Sequence, residues 1–187
     1  NFHRSALGLT PVLTAPDAAP PAPVISCNQS CAPDNGLNII VDTGFNRPEC
    51  LAAMRAGLEE LGLDLTKTDF FITHLHADHN GLIGTINTPS SRVWCSAADA
   101  EVINRVAALT PDDPWWEEVL ALARGNGFSP AEAEEAIRRH PGFRLGPTVL
   151  TDYLPVNEGD LFAYGDYRFR ALATPGHTSG HMCLYEA

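Results

Sequence analysis

The chain has 187 residues, 44% of them hydrophobic and 19% charged, the balance of a globular protein that buries one sizeable core in one domain. Its formal net charge is −11 and its sequence pI is near 4.9, so it lacks the clustered Lys and Arg of a broad phosphate-binding surface, and nucleic acid is a disfavoured partner. No apolar run reaches the roughly 18 residues of a membrane-spanning helix, so no membrane span is expected.

In chain order, residues 1–24 read as an extended lead-in, rich in Pro and Ala from Thr10 onward. The chain opens at Asn1 without a signal-peptide pattern. The expectation is an incomplete N-terminus and a cytoplasmic protein, with export left open. Cys50, Cys95 and Cys183 stand in apolar surroundings and read as reduced, buried thiols. Cys27 and Cys31 read as free thiols. A local disulfide or metal clip is their alternative, but no partner pair follows at zinc-finger spacing.

Leu37 to Val41 is a short apolar run, a buried strand that ends in Asp42-Thr43-Gly44. A helix over 47–61 follows, with Leu51, Met54, Leu58 and Leu61 on one face and Gly62 as its stop. Phe70 to Thr73 and Arg92 to Cys95 read as further strands. Residues 96–146 read as a helical insertion. Ser96-Ala-Ala-Asp99 caps one helix, Pro114-Trp115-Trp116 opens a second, and Ser129-Pro130-Ala131-Glu132 is a capping box for a third. Gly125-Asn126-Gly127 and Pro141-Gly142 read as breaks. Leu161 to Tyr164 and Tyr167 to Ala173 flank Gly165-Asp166 as a hairpin, and His181 to Tyr185 is a last strand. Strands alternating with helices, then hairpins, predict a layered α/β protein.

The chain has seven histidines, and three of them crowd with an aspartate into "HLHADH", His74 to His79, just past a strand. Imidazole and carboxylate are ligands for zinc and similar divalent ions. A locally extended backbone sends His74 and His76 the same way. Asp78 is expected to continue that parity, and His79 to turn to a neighbouring point. Four donors on one loop exceed the need of one open ion, which suggests two ions about 3.5–4 Å apart. A second group, "ATPGHTSGH", also follows a strand, and the turn at Pro175-Gly176 presents His177 as a third imidazole. Asp42 is read as an acceptor behind the ligands that fixes an imidazole tautomer, and His181 as a supporting residue that does not ligate. His3 and His140 receive no role.

These motifs resemble those of the metallo-β-lactamase-fold hydrolases: the HxHxDH signature at His74 to His79, the "VDTG" strand end at Val41 to Gly44, and the hairpin and third-ligand motif from Glu158 to His181. The similarity runs from about residue 37 to the end, interrupted by the helices of 96–146. It implies an αββα sandwich with a dinuclear site at one edge. By the resemblance, His74, His76 and His177 hold the first metal, and Asp78 and His79 the second. The family also uses a bridging Asp and a final His after later strands. Asp152, Asp160 and Asp166 precede His177, and His181 follows it too closely. The second site is therefore expected to be incomplete, and the chain to be a piece without the C-terminal strands and helix.

The implied chemistry is hydrolysis. A zinc-bound water ionises near pH 7 and attacks a carbonyl or phosphoryl centre, with Asp78 orienting the nucleophile. An ester, thioester or lactone is the favoured small-molecule substrate, as in proteins similar to hydroxyacylglutathione hydrolase, with Trp115, Trp116, Phe128 and Phe143 as a candidate apolar wall. The alternatives are an iron oxidoreductase of the same fold, a β-lactamase or phosphodiesterase, and a catalytically weak metal-binding piece. Zinc, as one or two ions, is the expected cofactor, with iron or manganese as substitutes.

Overall fold

The computed structural model describes residues 37–110 and 112–186. The lead-in, His3, Cys27 and Cys31 lie outside the described residues. Four short strands, β1 (Asn38–Val41), β2 (Thr68–Phe71), β3 (Val93–Cys95) and β4 (Tyr153–Pro155), form a parallel sheet in that order. Strands β5 (Leu161–Tyr164), β6 (Tyr167–Ala173) and β7 (Met182–Glu186) form an antiparallel sheet.

A parallel sheet covered on both faces needs apolar residues at successive positions, and β1 and β2 are buried throughout. The two-residue period of a strand then sends alternate side chains to different layers. Ile40, Phe70, Val93 and Cys95 pack against helices, through Met54 and Leu58 of α1 (Pro48–Glu60) and Ile103 of α4 (Ala97–Ala107). Ile39, Val41 and Phe71 face the second sheet, where they meet Phe162, Tyr164, Phe169 and Ala171. The Phe71 and Phe162 rings meet edge to face with centroids 5.6 Å apart. Helix, sheet and sheet thus form three layers, and the α/β sandwich predicted from the sequence is the fold found.

A buried carboxylate ties the two sheets together. Asp69 on β2 accepts from Arg92 Nε at 2.9 Å and from the Tyr164 hydroxyl of β5 at 2.7 Å. Burial, then the Asp69 contact, pushes the Tyr164 pKa above its ordinary value.

Between the strands of the first sheet run α1, the short helices α2 (Ala77–Asn80) and α3 (Ile83–Ile86), and a group formed by α4, α5 (Trp115–Gly125), α6 (Pro130–Arg139) and α7 (Pro141–Leu145). Ser96 caps α4, and Ser129 and Glu132 close the capping box of α6. Gly165 has φ 57°, the left-handed value that a glycine-first hairpin turn requires.

Several expectations are corrected. The second strand starts at Thr68 and ends at Phe71, because its residues pair with β1 from Thr68 onward. The helix break expected at Pro141-Gly142 falls one residue earlier, at the extended His140, and Pro141 itself opens α7, where its missing N–H costs nothing. Cys50 and Cys95 are buried free thiols, whereas Cys183 is half-buried on β7.

Candidate metal centre

The first histidine loop begins where β2 ends. Its backbone bends at His74–Leu75 and enters α2 after His76, which is still extended at φ −70°, ψ 143°. The Asn80 side-chain amide closes the bend by donating to the Leu75 and His76 carbonyls at 2.6 and 2.9 Å. Extended backbone thus stops at His76. Asp78 lies in the first turn of α2, so helix geometry rather than strand alternation presents it, contrary to the expected parity.

The second loop follows β6. Gly176 takes φ 144°, its N–H donates to the Thr178 carbonyl at 3.0 Å, and Thr174 N–H meets the His181 carbonyl at 2.9 Å. Met182 N–H donates to the Thr73 carbonyl at 2.9 Å, which joins this loop to the first.

Asp99, fully buried in the first turn of α4, joins the loops a second time. Its carboxylate accepts from Leu75 N–H at 3.0 Å, from the Thr178 hydroxyl at 2.6 Å and from Gly180 N–H at 2.9 Å. A Cβ at Gly180 would fall 2.1 Å from Ser96 Oγ and 2.6 Å from Asp99 Oδ1, so only glycine lets the loop come this close. Sequence reasoning took Asp99 only as part of a cap. An acidic residue in a first helical turn is ordinary, since it complements the helix dipole, so nothing local marked it out.

The two loops bring His74, His76 and His177 together, each with one ring nitrogen in a group whose members lie within 4.8 Å of one another. His76 Nδ1 lies 3.1 Å from His74 Nε2 and 2.9 Å from His177 Nε2. Nitrogen ligands about 2.0–2.1 Å from a tetrahedral zinc stand about 3.3 Å apart, so three imidazoles at these separations fit one such cation.

The tautomers follow from the surrounding hydrogen bonds. Asp42 Oδ2 takes the Thr73 hydroxyl at 2.8 Å, and that hydroxyl lies 2.9 Å from His74 Nδ1. The chain His74 Nδ1–H to Thr73 to Asp42 leaves the lone pair of His74 on Nε2, which faces the other imidazoles. Asp42 Oδ2 also sits 2.8 Å from His79 Nδ1, which leaves His79 Nε2 as the acceptor nitrogen. Asp42 itself has φ 61°, and Thr73 N–H holds its Oδ1 at 2.8 Å.

Burial, reinforced by His79, His76, His181 and His177, pulls the His74 pKa down to about 3. Burial and then His177 also lower His76. Both are neutral, lone-pair donors at neutral pH. Burial pulls His79 down as well, but the Asp42 hydrogen bond and the Asp42 and Asp78 charges outweigh it, and its pKa ends above the ordinary value. Asp78 Oδ2 is 3.5 Å from His79 Nε2. The His181 ring centroid lies 4.9 Å from that of His74, and its Nδ1 is 2.8 Å from the Thr174 hydroxyl. His140 lies apart from this group as the N-cap of α7.

The expected aromatic wall divides. Trp115 and Phe143 line a hollow beside His76 and Asp78, whereas Trp116 packs on Phe143 from outside that lining, and Phe128 lines a different hollow on α6.

A family model described as "Metallo-beta-lactamase superfamily" matches residues 27–187. A hydroxyacylglutathione hydrolase from Maricaulis maris is 28% identical over 117 residues, covering 59% of this chain and 41% of that protein. An uncharacterised Aquifex aeolicus protein is 25% identical over 163 residues, covering 87% of this chain and 60% of that one. This chain thus spans about half the length of the curated relatives it matches. Among solved structures, a metallo-beta-lactamase family protein from Thermus thermophilus superposes with TM-score 0.69 at 25% identity, over 95% of this chain and 54% of that one. The subclass B3 metallo-beta-lactamase of Bradyrhizobium japonicum shares the fold, with TM-score 0.57 at 20% identity over 88% of this chain and 50% of its own. By a family match over most of its length, and by a fold that agrees with it, this chain belongs to the metallo-beta-lactamase superfamily.

Proposed function

We propose that the chain carries the metal centre of a hydrolase that cleaves an ester, thioester or lactone. The observation that carries this reading is the convergence of His74, His76 and His177 from loops of two different sheets. These three would hold one divalent cation, zinc by the preference of an all-imidazole set, and His79 Nε2 with Asp78 offers a neighbouring position. A cation there acts as a Lewis acid and makes hydroxide available near neutral pH.

The chain's own residues set the conditions for that chemistry. Asp42 and Thr73 hold His74 in the tautomer that donates from Nε2, and Asp42 does the same for His79. Asp99 keeps the two loops in register. The half-exposed Asp78 carboxylate, 3.5 Å from His79 Nε2, would orient the attacking water and take up its proton. Water then adds across the acyl C–O or C–S bond, giving a carboxylic acid and an alcohol or thiol. The hydroxyacylglutathione hydrolases among the relatives favour a thioester.

Elemental analysis of the purified chain tests the centre, with His177→Ala beside it. About one zinc per chain, lost in the variant, is expected. Equal zinc in both proteins would refute the three-histidine site. Iron in place of zinc would replace hydrolysis with the oxidoreductase alternative.

A further inference from the structure

A hollow of about 450 Å³ borders the metal centre, with His76 and Asp78 in its wall. That volume lies in the usual range for small-molecule sites, about 300–1,000 Å³. The rest of its wall is built largely by the helices of residues 96–146. Val102 and Val106 come from α4, Trp115 from α5 and Phe143 from α7, and Leu75 of the histidine loop faces them. Trp115 and Phe143 meet edge to face with centroids 5.7 Å apart, which holds the far helices against each other. Val102 is 41% exposed although it lines the hollow, so an apolar side chain is kept at this wall despite its access to water.

The charge of the wall is as informative as its shape. Among the described residues that line it there is no lysine or arginine, and its one carboxylate is Asp78. A carboxylate taken into such a place meets no lysine or arginine, only the His76 and His140 imidazoles and the Asn80 amide, and is repelled by Asp78, so burying it is costly. The whole chain adds a net charge of −11. A glutathione conjugate carries such carboxylates, whereas an alkyl or aryl acyl chain carries none.

We propose that this hollow is an acyl pocket, and that the substrate is an uncharged ester, thioester or lactone with an apolar chain of several carbons rather than a glutathione thioester. The proposal rests on the hydrolase reading for its chemistry, but the pocket itself is testable by binding. Each methylene that enters such a pocket gains about 0.8 kcal/mol, or about fourfold in affinity.

The test titrates butanamide, hexanamide and octanamide into the chain, with and without zinc, and reads tryptophan fluorescence and heat. The expected result is Kd tightening by about fourfold per added methylene, with no saturable binding of S-lactoylglutathione. Val102→Asp flattens the dependence on chain length, and Val102→Leu keeps it. Equal Kd across the series, or tighter binding of the glutathione thioester than of octanamide, overturns the proposal. Turnover of butanoyl and octanoyl thioesters of N-acetylcysteamine separates the two readings. Stepwise binding without zinc-dependent turnover supports the pocket and makes this chain the catalytically weak metal-binding alternative. Turnover with the same kcat/KM for both chains supports the hydrolase and refutes the pocket.

Discussion

Asp99 joins the two histidine loops of the site. It is a fully buried carboxylate that accepts three donors from the two histidine loops. Each buried donor left without a partner costs about 1–3 kcal/mol. Asp99→Ala is therefore expected to lower stability by about 3 kcal/mol or more, and to weaken zinc binding by about 10–100-fold, as loss of an orienting partner does. Urea unfolding and a zinc titration check both, and unchanged values would mean that the loops hold their register without it. The histidines and Asp42 stood out in the sequence because imidazoles in that density have few other uses. Asp99 did not, since its meaning lies in residues about 80 positions away in sequence, as with Gly180.

Elements were legible where the sequence carries its own boundary signals. The capping box of α6, the Gly62 stop after α1 and the glycine-first turn between β5 and β6 all act within a few residues. Helices α2 and α7, four and five residues long, are too short to show a period, and tertiary contacts define them. β4 is a three-residue, half-exposed strand ending in Pro155, the pattern of an edge, with no apolar run to announce it. The strands also predict how stability depends on pH. Burial raises the Cys95 thiol on β3 from 9.0 to about 12, and Tyr153 on β4 and Tyr164 on β5 are raised by burial too. Above pH 9 the unfolded chain releases these protons before the folded one does. The folded state then binds more protons, so stability falls as pH rises through this window. Urea unfolding at pH 8, 9.5 and 11 is expected to show that decline, with a shallower slope in Tyr164→Phe than in the parent chain. A flat profile to pH 11 would show that these groups are not desolvated as described.

At the scale of the molecule, alternating strands and helices implied layers, and three layers are present. Apart from the β5–β6 hairpin, the strand partners were not legible, because strand order is decided by packing that no local pattern records. The candidate metal centre draws His74 and His76 from a loop of the parallel sheet and His177 from a loop of the antiparallel one. A cation held by all three binds the folded chain alone and stabilises it by mass action. Free zinc at 100 times Kd gives about 2.7 kcal/mol. In a chain of this size that is a rise in Tm of about 5–10 °C. Calorimetry with zinc and with chelator is expected to show this shift, and His177→Ala to abolish it. A shift that survives in the variant would place the cation elsewhere.

The division of the ligands between sheets also orders events in time. His76 and His177 are 101 residues apart in sequence, and the nitrogens that meet belong to different layers. A growing or partly folded chain holds His74 and His76 on one loop and lacks His177 beside them until both sheets have docked. A cation held by all three would therefore be captured last, as a seal on an assembly that the hydrophobic layers have already built.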